Sequence, residues 1–192
     1  MLKRIFLTAS LVLALGLTLP AHATSITYIA ILSGANEVPP TGVAGTGVAN
    51  FTLTGDSLFI DLIFSGLTGP AAAGHIHCCT PVGVNAQVAV PFVGLPGATS
   101  GTYMNTVDLT LASAYTAAFI TASGGTVAAA EAAVIAGLNS GNTYANLHTA
   151  QFPGGEIRGQ IAVTPEPGSL LLLGTGLIGV VEAVRRRAKA SL

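Results

Sequence analysis

The stretch Gly74-His75-Ile76-His77-Cys78-Cys79 decides how the fold is interpreted, because it is the part of the chain that is densest in reactive side chains. It contains two of the four histidines and both cysteines. Apolar, strand-like segments precede and follow it, so we place it on a β-strand. Because side chains alternate between the two faces of a strand, His75 and His77 point one way and Ile76 points into the core.

His75 and His77 are candidate metal ligands, since neutral imidazole is the commonest metal ligand in proteins. A metal site needs roughly three or four ligands, so on the pair alone the plainer interpretation is two surface histidines on an ordinary strand. A second stretch, Tyr144-Ala145-Asn146-Leu147-His148-Thr149, has the same pattern. Leu147 fits the core, and His148 points outward as the candidate third ligand.

Residues 1–23 have the pattern of a secretory signal peptide. Lys3 and Arg4 give a positive start, an apolar run follows, and Ala21-His22-Ala23 fits the small-x-small cleavage pattern. The mature chain is then predicted to begin at Thr24, with the general secretion machinery as its first partner. An uncut N-terminal membrane anchor is the alternative.

Residues 165–192 combine the helix-breaking tripeptide Pro165-Glu166-Pro167, an apolar span at 168–184 and the basic cluster Arg185-Arg186-Arg187. This order resembles the PEP-CTERM sorting tail of exported proteins from Gram-negative bacteria that make extracellular polysaccharide. The resemblance implies processing by an exosortase, a transient transmembrane helix in the inner membrane, and a final location at the cell surface or in the extracellular matrix. A plain C-terminal anchor is the alternative.

Cys78 and Cys79 have no third cysteine to pair with. Free thiols do not persist in the oxidising compartment of an exported protein. Three arrangements remain open: a vicinal disulfide, a link to another chain, and thiolates on a metal beside the histidines. Side chains of neighbouring strand residues face opposite ways, so a vicinal bridge requires the strand to end there. Thr80-Pro81 immediately afterwards favours the vicinal bridge.

The remaining residues, 24–164, have the size of one domain. They contain six acidic residues and a single basic one, Arg158, which gives a net charge of −5. An acidic domain with one basic residue lacks the basic surface typical of nucleic-acid-binding proteins, so we expect no nucleic-acid partner. Because Arg158 is the only basic residue here, we expect a fixed partner, a structural ion pair with Glu37 or Glu156. Ligand binding by Arg158 is the alternative.

Most of this domain is predicted to be β-strand. The segment 47–53 alternates apolar and polar residues, and 58–64 is nearly continuously apolar, as in a buried central strand. The one clear helix is 126–138, with Thr126 as its N-cap and Asn139-Ser140-Gly141 at its end. Many short strands joined by glycine-rich turns indicate an all-β sandwich or barrel.

Three motifs resemble the CHRD domain, first described in chordin. They are Leu32-Ser33-Gly34-Ala35-Asn36-Glu37-Val38-Pro39-Pro40, Ala73-Gly74-His75-Ile76-His77, and Asn146-Leu147-His148-Thr149 with Phe152-Pro153-Gly154-Gly155-Glu156-Ile157-Arg158-Gly159-Gln160. The resemblance covers about residues 28–161. It implies an immunoglobulin-like antiparallel β-sandwich, with the strand of His75 and His77 near the strand of His148. No enzymatic activity is established for that family.

Two function hypotheses follow. The first is an exported surface or matrix-associated binding or structural module, not an enzyme, with extracellular polysaccharide or surface proteins as partners. The sequence has no nucleophile–base or paired-carboxylate set, which supports it. The second is a copper-binding, redox-active β-sandwich that uses His75, His77 and His148. Copper–zinc superoxide dismutase is a weaker analogy for this site. Its copper takes four histidines and it has a zinc loop, whereas the candidate site here has three histidines.

Overall fold

The computed structural model describes residues 24–165 and 167–190. The predicted signal peptide at 1–23 and Glu166 of the sorting motif lie outside the described residues, as do the side chains of Pro167 and Arg187. The strands of the described part are β1 (Ser25–Ser33), β2 (Thr46–Thr54), β3 (Ser57–Ser65), β4 (Ala71–Cys78), β5 (Gln87–Pro91), β6 (Gly101–Asp108), β7 (Thr143–Thr149), β8 (Ile157–Gln160) and β9 (Ala162–Val163). The helices are α1 (Ala117–Ala122), α2 (Val127–Ser140) and α3 (Pro167–Ala190), with short 3-10 turns at Gly34–Asn36 and Ala112–Ala114.

All strand pairs are antiparallel, and the strands follow one another in the order β5-β4-β7-β8-β1-β2-β3-β6, with β9 beside β1. The sheet curls so that its ends approach each other: Phe92, just after β5, stacks on Tyr103 in β6 with ring centroids 5.3 Å apart. The Ala71 N–H of β4 donates to the Ala98 carbonyl at 2.9 Å. The predicted mostly-β, antiparallel architecture is confirmed. The immunoglobulin-like sandwich is not, because the strands hydrogen-bond into one continuous path.

Strand β3 corrects one part of the prediction. Its apolar run indicated a strand buried on both faces, but burial alternates along it. Leu58 and Leu62 are fully buried, whereas Phe59 and Ile63 are 40% and 58% exposed. One face of β3 therefore packs on the core, as is usual in antiparallel sheets, and the other remains open.

Helix α2 forms where the sequence predicts it. The Thr126 hydroxyl accepts a hydrogen bond from the Ala129 N–H at 3.2 Å, which satisfies one of the free donors of the first turn. Gly141 ends the helix with φ of +70°, a conformation that glycine adopts without steric cost. Val134 and Leu138 face the core and are fully buried. By sequence, the segment of the short helix α1 fits either a strand or a short helix, and the structure has the helix.

The C-terminal helix α3 contains the basic end of the sorting motif. Arg186 Nε lies 3.1 Å from Glu182 Oε1. In the part of the chain that the structure describes, no helix is both long enough and apolar enough to cross a membrane. The predicted transmembrane span at 168–184 is therefore not supported.

Candidate metal centre

Strands β4 and β7 bring the two histidine motifs together. They pair antiparallel, with His75 opposite Asn146, His77 opposite Tyr144 and Ala73 opposite His148. Directly opposed residues lie on the same face of a sheet, so all three histidines share one face. Their neighbours Ile76 and Leu147 point to the other face and are fully buried in the hydrophobic core. The structure therefore has the alternation and the adjacency on which the three-histidine hypothesis depends.

The ligand nitrogens of His75, His77 and His148 all lie within 4.8 Å of one another. His75 Nδ1 is 3.1 Å from His148 Nε2. His77 is 7% exposed, while His75 and His148 are half-buried. The cluster therefore has a buried side at His77 and a solvent-facing side at the other two imidazoles.

Backbone carbonyls fix the tautomers of two of these rings. Nδ1–H of His77 donates to the Ala86 carbonyl at 2.8 Å, and Nδ1–H of His148 donates to the Pro153 carbonyl at 2.9 Å. A neutral imidazole carries one hydrogen, so Nε2 of each ring presents a lone pair. Asn146 Oδ1 lies 3.1 Å from His77 Nε2 and 2.9 Å from His148 Nε2. Carbonyl acceptors of this kind orient histidines that bind metals.

The three imidazoles are held neutral. The pKa of His75 is lowered from 6.5 to about 4, first because burial disfavours the charged ring and then because His148 and His77 would repel it. Burial also lowers the pKa of His77 and of His148, against the carbonyl hydrogen bonds that raise them. Neutral rings are the form that binds metal ions.

Arg158 lies behind the cluster and does not form the predicted ion pair. Its Nη1 donates to Asn85 Oδ1 at 2.9 Å, and its Nη2 donates to the Val84 carbonyl at 3.0 Å. Its guanidinium carbon is 3.3 Å from the centroid of the Tyr144 ring. Within the described residues, neither Glu37 nor Glu156 forms a salt bridge with Arg158, although the Arg158 charge acts on Glu37 and lowers its pKa against the effect of burial.

Tyr144 connects Arg158 to the cluster, because its ring also stacks on His77 with centroids 4.6 Å apart. The Tyr144 hydroxyl accepts a hydrogen bond from the Ala86 N–H at 3.1 Å. The same Ala86 residue holds His77 through its carbonyl. The loop between β4 and β5 is thereby fixed over His77, which explains why this imidazole is buried although it faces away from the core.

Glu156 has a different set of partners from the predicted one. Its carboxylate is fully buried and accepts hydrogen bonds from the Thr68 N–H at 2.7 Å, the Thr68 hydroxyl at 2.8 Å and the Thr149 hydroxyl. These bonds tie the loop after β3 to the end of β7. Glu156 is therefore a structural residue beside the histidine face.

Cys78 and Cys79 are joined in a disulfide at the end of β4. Of the three arrangements left open by the sequence, the structure has the vicinal one. Both sulfur atoms lie against α2, at 3.6 and 3.4 Å from the Ala133 carbonyl oxygen. The candidate metal ligands of this region are therefore the imidazoles, without thiolates.

Glu37 is a second buried carboxyl group near the cluster, and it is 5% exposed. Burial raises its pKa from 4.5 to about 7, against the lowering effects of the Arg158 charge and the Asn146 side chain. Its Oε1 has no hydrogen-bond partner within ordinary geometric limits. The carboxyl group therefore lies close to its titration midpoint at neutral pH.

This raised pKa predicts a pH dependence of stability. The folded state binds the Glu37 proton more tightly than the unfolded state, so this contribution is present below pH 4.5 and is lost as the pH rises through 7. Glu37→Gln removes this pH-dependent loss of stability, because glutamine does not titrate. From pH 5 to pH 8 we expect the free energy of unfolding of the variant, relative to the unmodified protein, to rise by about 2.5 kcal/mol. Urea denaturation at each pH measures it, with exposed Asp56→Asn as control; a constant difference contradicts it.

A comparison with protein-family models identifies residues 28–161 as a CHRD domain. The chain belongs to the CHRD domain family. A PEP-CTERM protein-sorting motif matches residues 163–188, immediately after this domain. No curated protein and no solved structure matches the chain significantly. Both resemblances drawn from the sequence are confirmed, and the sorting motif implies an exported protein that an exosortase processes.

Several residues of the site were not predicted to have roles. Asn146 lies at the centre of the cluster. The strand alternation that places His148 on the histidine face also places Asn146 there. Asn85 and Ala86 belong to a loop, where no periodicity indicates which atoms meet the imidazoles. Pro153, whose carbonyl holds His148, lay within a recognised motif whose contacts the sequence does not reveal.

Proposed function

We propose that this exported CHRD protein binds one transition-metal ion through His75, His77 and His148. One observation carries the proposal: His77 and His148 each face an oxygen acceptor at both ring nitrogens. A neutral ring has one hydrogen for these two acceptors. Full protonation would satisfy both oxygens, but the lowered pKa values oppose it. A cation bound at the Nε2 atoms supplies the positive charge that protonation of the two rings would otherwise supply.

The ligand chemistry favours copper or zinc. Imidazole nitrogen suits both ions. The three imidazoles are neutral, so they do not compensate the charge of the bound ion. Copper is our choice, because divalent copper has the higher affinity for a given set of nitrogen ligands. The half-buried state of His75 and His148 gives an ion access from solvent.

For the protein as a whole, we propose a binding module at the cell surface or in the extracellular matrix, without enzymatic activity, and with extracellular polysaccharide or surface proteins as its partners. A purely structural or binding role without metal is the second candidate. The extensive apolar core favours it, since the core lies on the face of β4 and β7 opposite the histidines and does not depend on a metal for its packing. Metal analysis separates the two candidates.

We expect the protein, purified without a histidine tag, to bind one equivalent of Cu²⁺ per chain. Exchanging a ligand histidine, as in His75→Gln or His148→Gln, should weaken binding at least about 100-fold, beyond the 10–100-fold typical of outer partners. Competition titration against a chelator of known affinity measures this change. Both residues are half-buried, so folding should survive the exchange.

The matched control is Asn50→Ala, a polar substitution on the exposed side of β2. It should leave copper affinity unchanged. If the unmodified protein binds no copper or zinc, the metal-binding proposal fails and the structural role remains. Loss of the fold on chelation would instead contradict the separation of the core from the site.

A further inference from the structure

We propose that Asn146 Oδ1 is the fourth protein ligand of the metal site proposed above, and that Glu37 is the positioning residue that turns this oxygen toward the imidazoles. The inference rests on the proposed function. It goes beyond the three histidines, because it assigns a ligand and an orienting group that share no motif with each other.

The position of the amide oxygen supports its role as a ligand. Asn146 is 2% exposed and lies opposite His75 on β7. Its Oδ1 lies 3.1 Å from His77 Nε2 and 2.9 Å from His148 Nε2. With the tautomers fixed by the carbonyls, none of these three atoms carries a hydrogen. His148 Nε2 can accept a hydrogen from His75 Nδ1, which lies 3.1 Å away, but His77 Nε2 and Asn146 Oδ1 face each other with lone pairs only. A cation between these atoms converts their repulsion into coordination.

Rotation of the amide by half a turn would also remove the repulsion, since the Asn146 NH₂ group has two hydrogens for the two Nε2 atoms. The environment on the other side of the amide opposes this rotation. It would direct Oδ1 at Glu37 Oε1 and withdraw the NH₂ donor from this buried oxygen, which has no other hydrogen-bond partner. The position of Glu37 therefore favours the orientation in which Nδ2 points to Glu37 and Oδ1 points to the histidines.

Gly155 provides the evidence that Glu37 and the amide nitrogen are close. A Cβ atom at this position would lie 2.5 Å from Glu37 Oε1 and 2.6 Å from Asn146 Nδ2. The two polar atoms therefore border the same small space, which any larger residue would fill. Gly155 also has φ of +127°, which side-chain-bearing residues rarely adopt. Glu37 Oε1, buried and unpaired, is the acceptor available to Nδ2.

The resulting ligand set has three imidazole nitrogens and one amide oxygen. Asn146 is almost completely buried, whereas His75 and His148 are half-buried, so the oxygen ligand is on the protein side of the ion. An oxygen ligand that is neutral keeps the total ligand charge at zero. This set suits Cu²⁺ or Zn²⁺ rather than Cu⁺, which prefers sulfur ligands.

The test compares Cu²⁺ binding and the Cu²⁺ paramagnetic resonance spectrum of the full chain with those of Asn146→Leu and Asn146→Asp. Leucine matches asparagine in size and removes the oxygen, so we expect affinity to fall about 10–100-fold with an altered copper hyperfine splitting. Aspartate keeps an oxygen and adds a negative charge, so it should retain binding with a spectrum distinct from both others. Asn50→Leu, on the exposed side of β2, is the matched control and should change neither quantity.

Glu37 is tested in the same assay. Glu37→Leu removes the acceptor for Nδ2 and should lower copper affinity about 10-fold with a change in the spectrum. Glu37→Gln keeps a carbonyl oxygen as acceptor and should restore most of both. A purely structural role for Glu37 would lower stability and leave the copper spectrum unchanged, which overturns this part of the inference.

The outcomes distinguish the two proposals. If the unmodified protein binds neither copper nor zinc, the proposed function itself fails. If it binds copper, and Asn146→Leu or Asn146→Asp gives the spectrum and affinity of the unmodified protein, the three-histidine site stands and the fourth ligand is refuted. Should the leucine variant fail to fold, the aspartate spectrum decides alone: a changed hyperfine splitting supports the ligand role, and an unchanged one overturns it.

Discussion

Gly159→Ala is expected to destabilise the domain by about 3 kcal/mol or to prevent folding, because strand β8 has no room for a side chain at this point. A Cβ atom on Gly159 would lie 2.6 Å from the carbonyl oxygen and 2.7 Å from the carbonyl carbon of Ile31 in β1. Both are backbone atoms, so no side-chain rotation relieves the overlap. Overpacking typically costs about 1–3 kcal/mol, and a backbone obstacle puts this site at the upper end.

The position of Gly159 in the sheet increases the consequence. Strand β8 is next to β1 in the strand order, and this junction joins the histidine-bearing strands to the rest of the sheet. The ladder between them has one register pair, Ser33 opposite Arg158, directly beside the glycine. A side chain at 159 would therefore push β8 away from β1 beside the one register pair of their ladder.

Urea denaturation of the exported domain measures this effect. Gly154→Ala is the matched control, since a Cβ at Gly154 would meet nothing within 4 Å, and its stability should change by less than about 0.5 kcal/mol. Equal stabilities of the two variants would show that β1 and β8 can move apart without cost.

The face on which the histidines lie could be predicted from the sequence, because it depends on local alternation alone. Ile76 and Leu147 must enter the core, and a shift of one residue would reverse both strands. The start and end of α2 were predictable for the same reason: Thr126 and Gly141 act through contacts within their own turn.

The partners of the charged groups were not predictable. Arg158 is 73 residues from Asn85, whose side chain it contacts, and Glu156 is 88 residues from Thr68. Only the curl of the sheet and the loop paths bring these atoms together. Charge complementarity suggested an ion pair, but an arginine has five donors, and a ring and two oxygen acceptors satisfy it equally well.

The near-complete burial of β7 on both faces has a physical explanation. One face packs against the apolar core, whereas loops cover the other, where Asn85 donates to the Val38 carbonyl at 2.8 Å. That second layer contains imidazoles, an amide and carboxyl groups in place of hydrocarbon. Buried polar groups need fixed partners, so this layer is where substitutions that change no volume still have large effects.

Glu156→Leu is the second substitution for which we expect a large loss, about 4 kcal/mol. The variant removes one acceptor group from three donors: the Thr68 N–H, the Thr68 hydroxyl and the Thr149 hydroxyl. Each donor that stays buried without a partner costs about 1–3 kcal/mol. Removal of a buried polar group offsets part of this cost, since leucine has no desolvation penalty.

Glu156→Gln gives a graded comparison, because glutamine keeps one acceptor oxygen but directs an NH₂ group at a donor. We expect it to lose about half as much stability as the leucine variant. Glu131→Gln on α2 removes the same charge from a carboxyl group that is not buried in the core, and it should lie within about 0.5 kcal/mol of the unmodified protein. Urea denaturation at pH 7 measures all three. A leucine variant as stable as the Glu131→Gln control would mean that Thr68 and Thr149 find other acceptors, and that the loop after β3 is held to β7 by packing instead of by the Glu156 carboxylate.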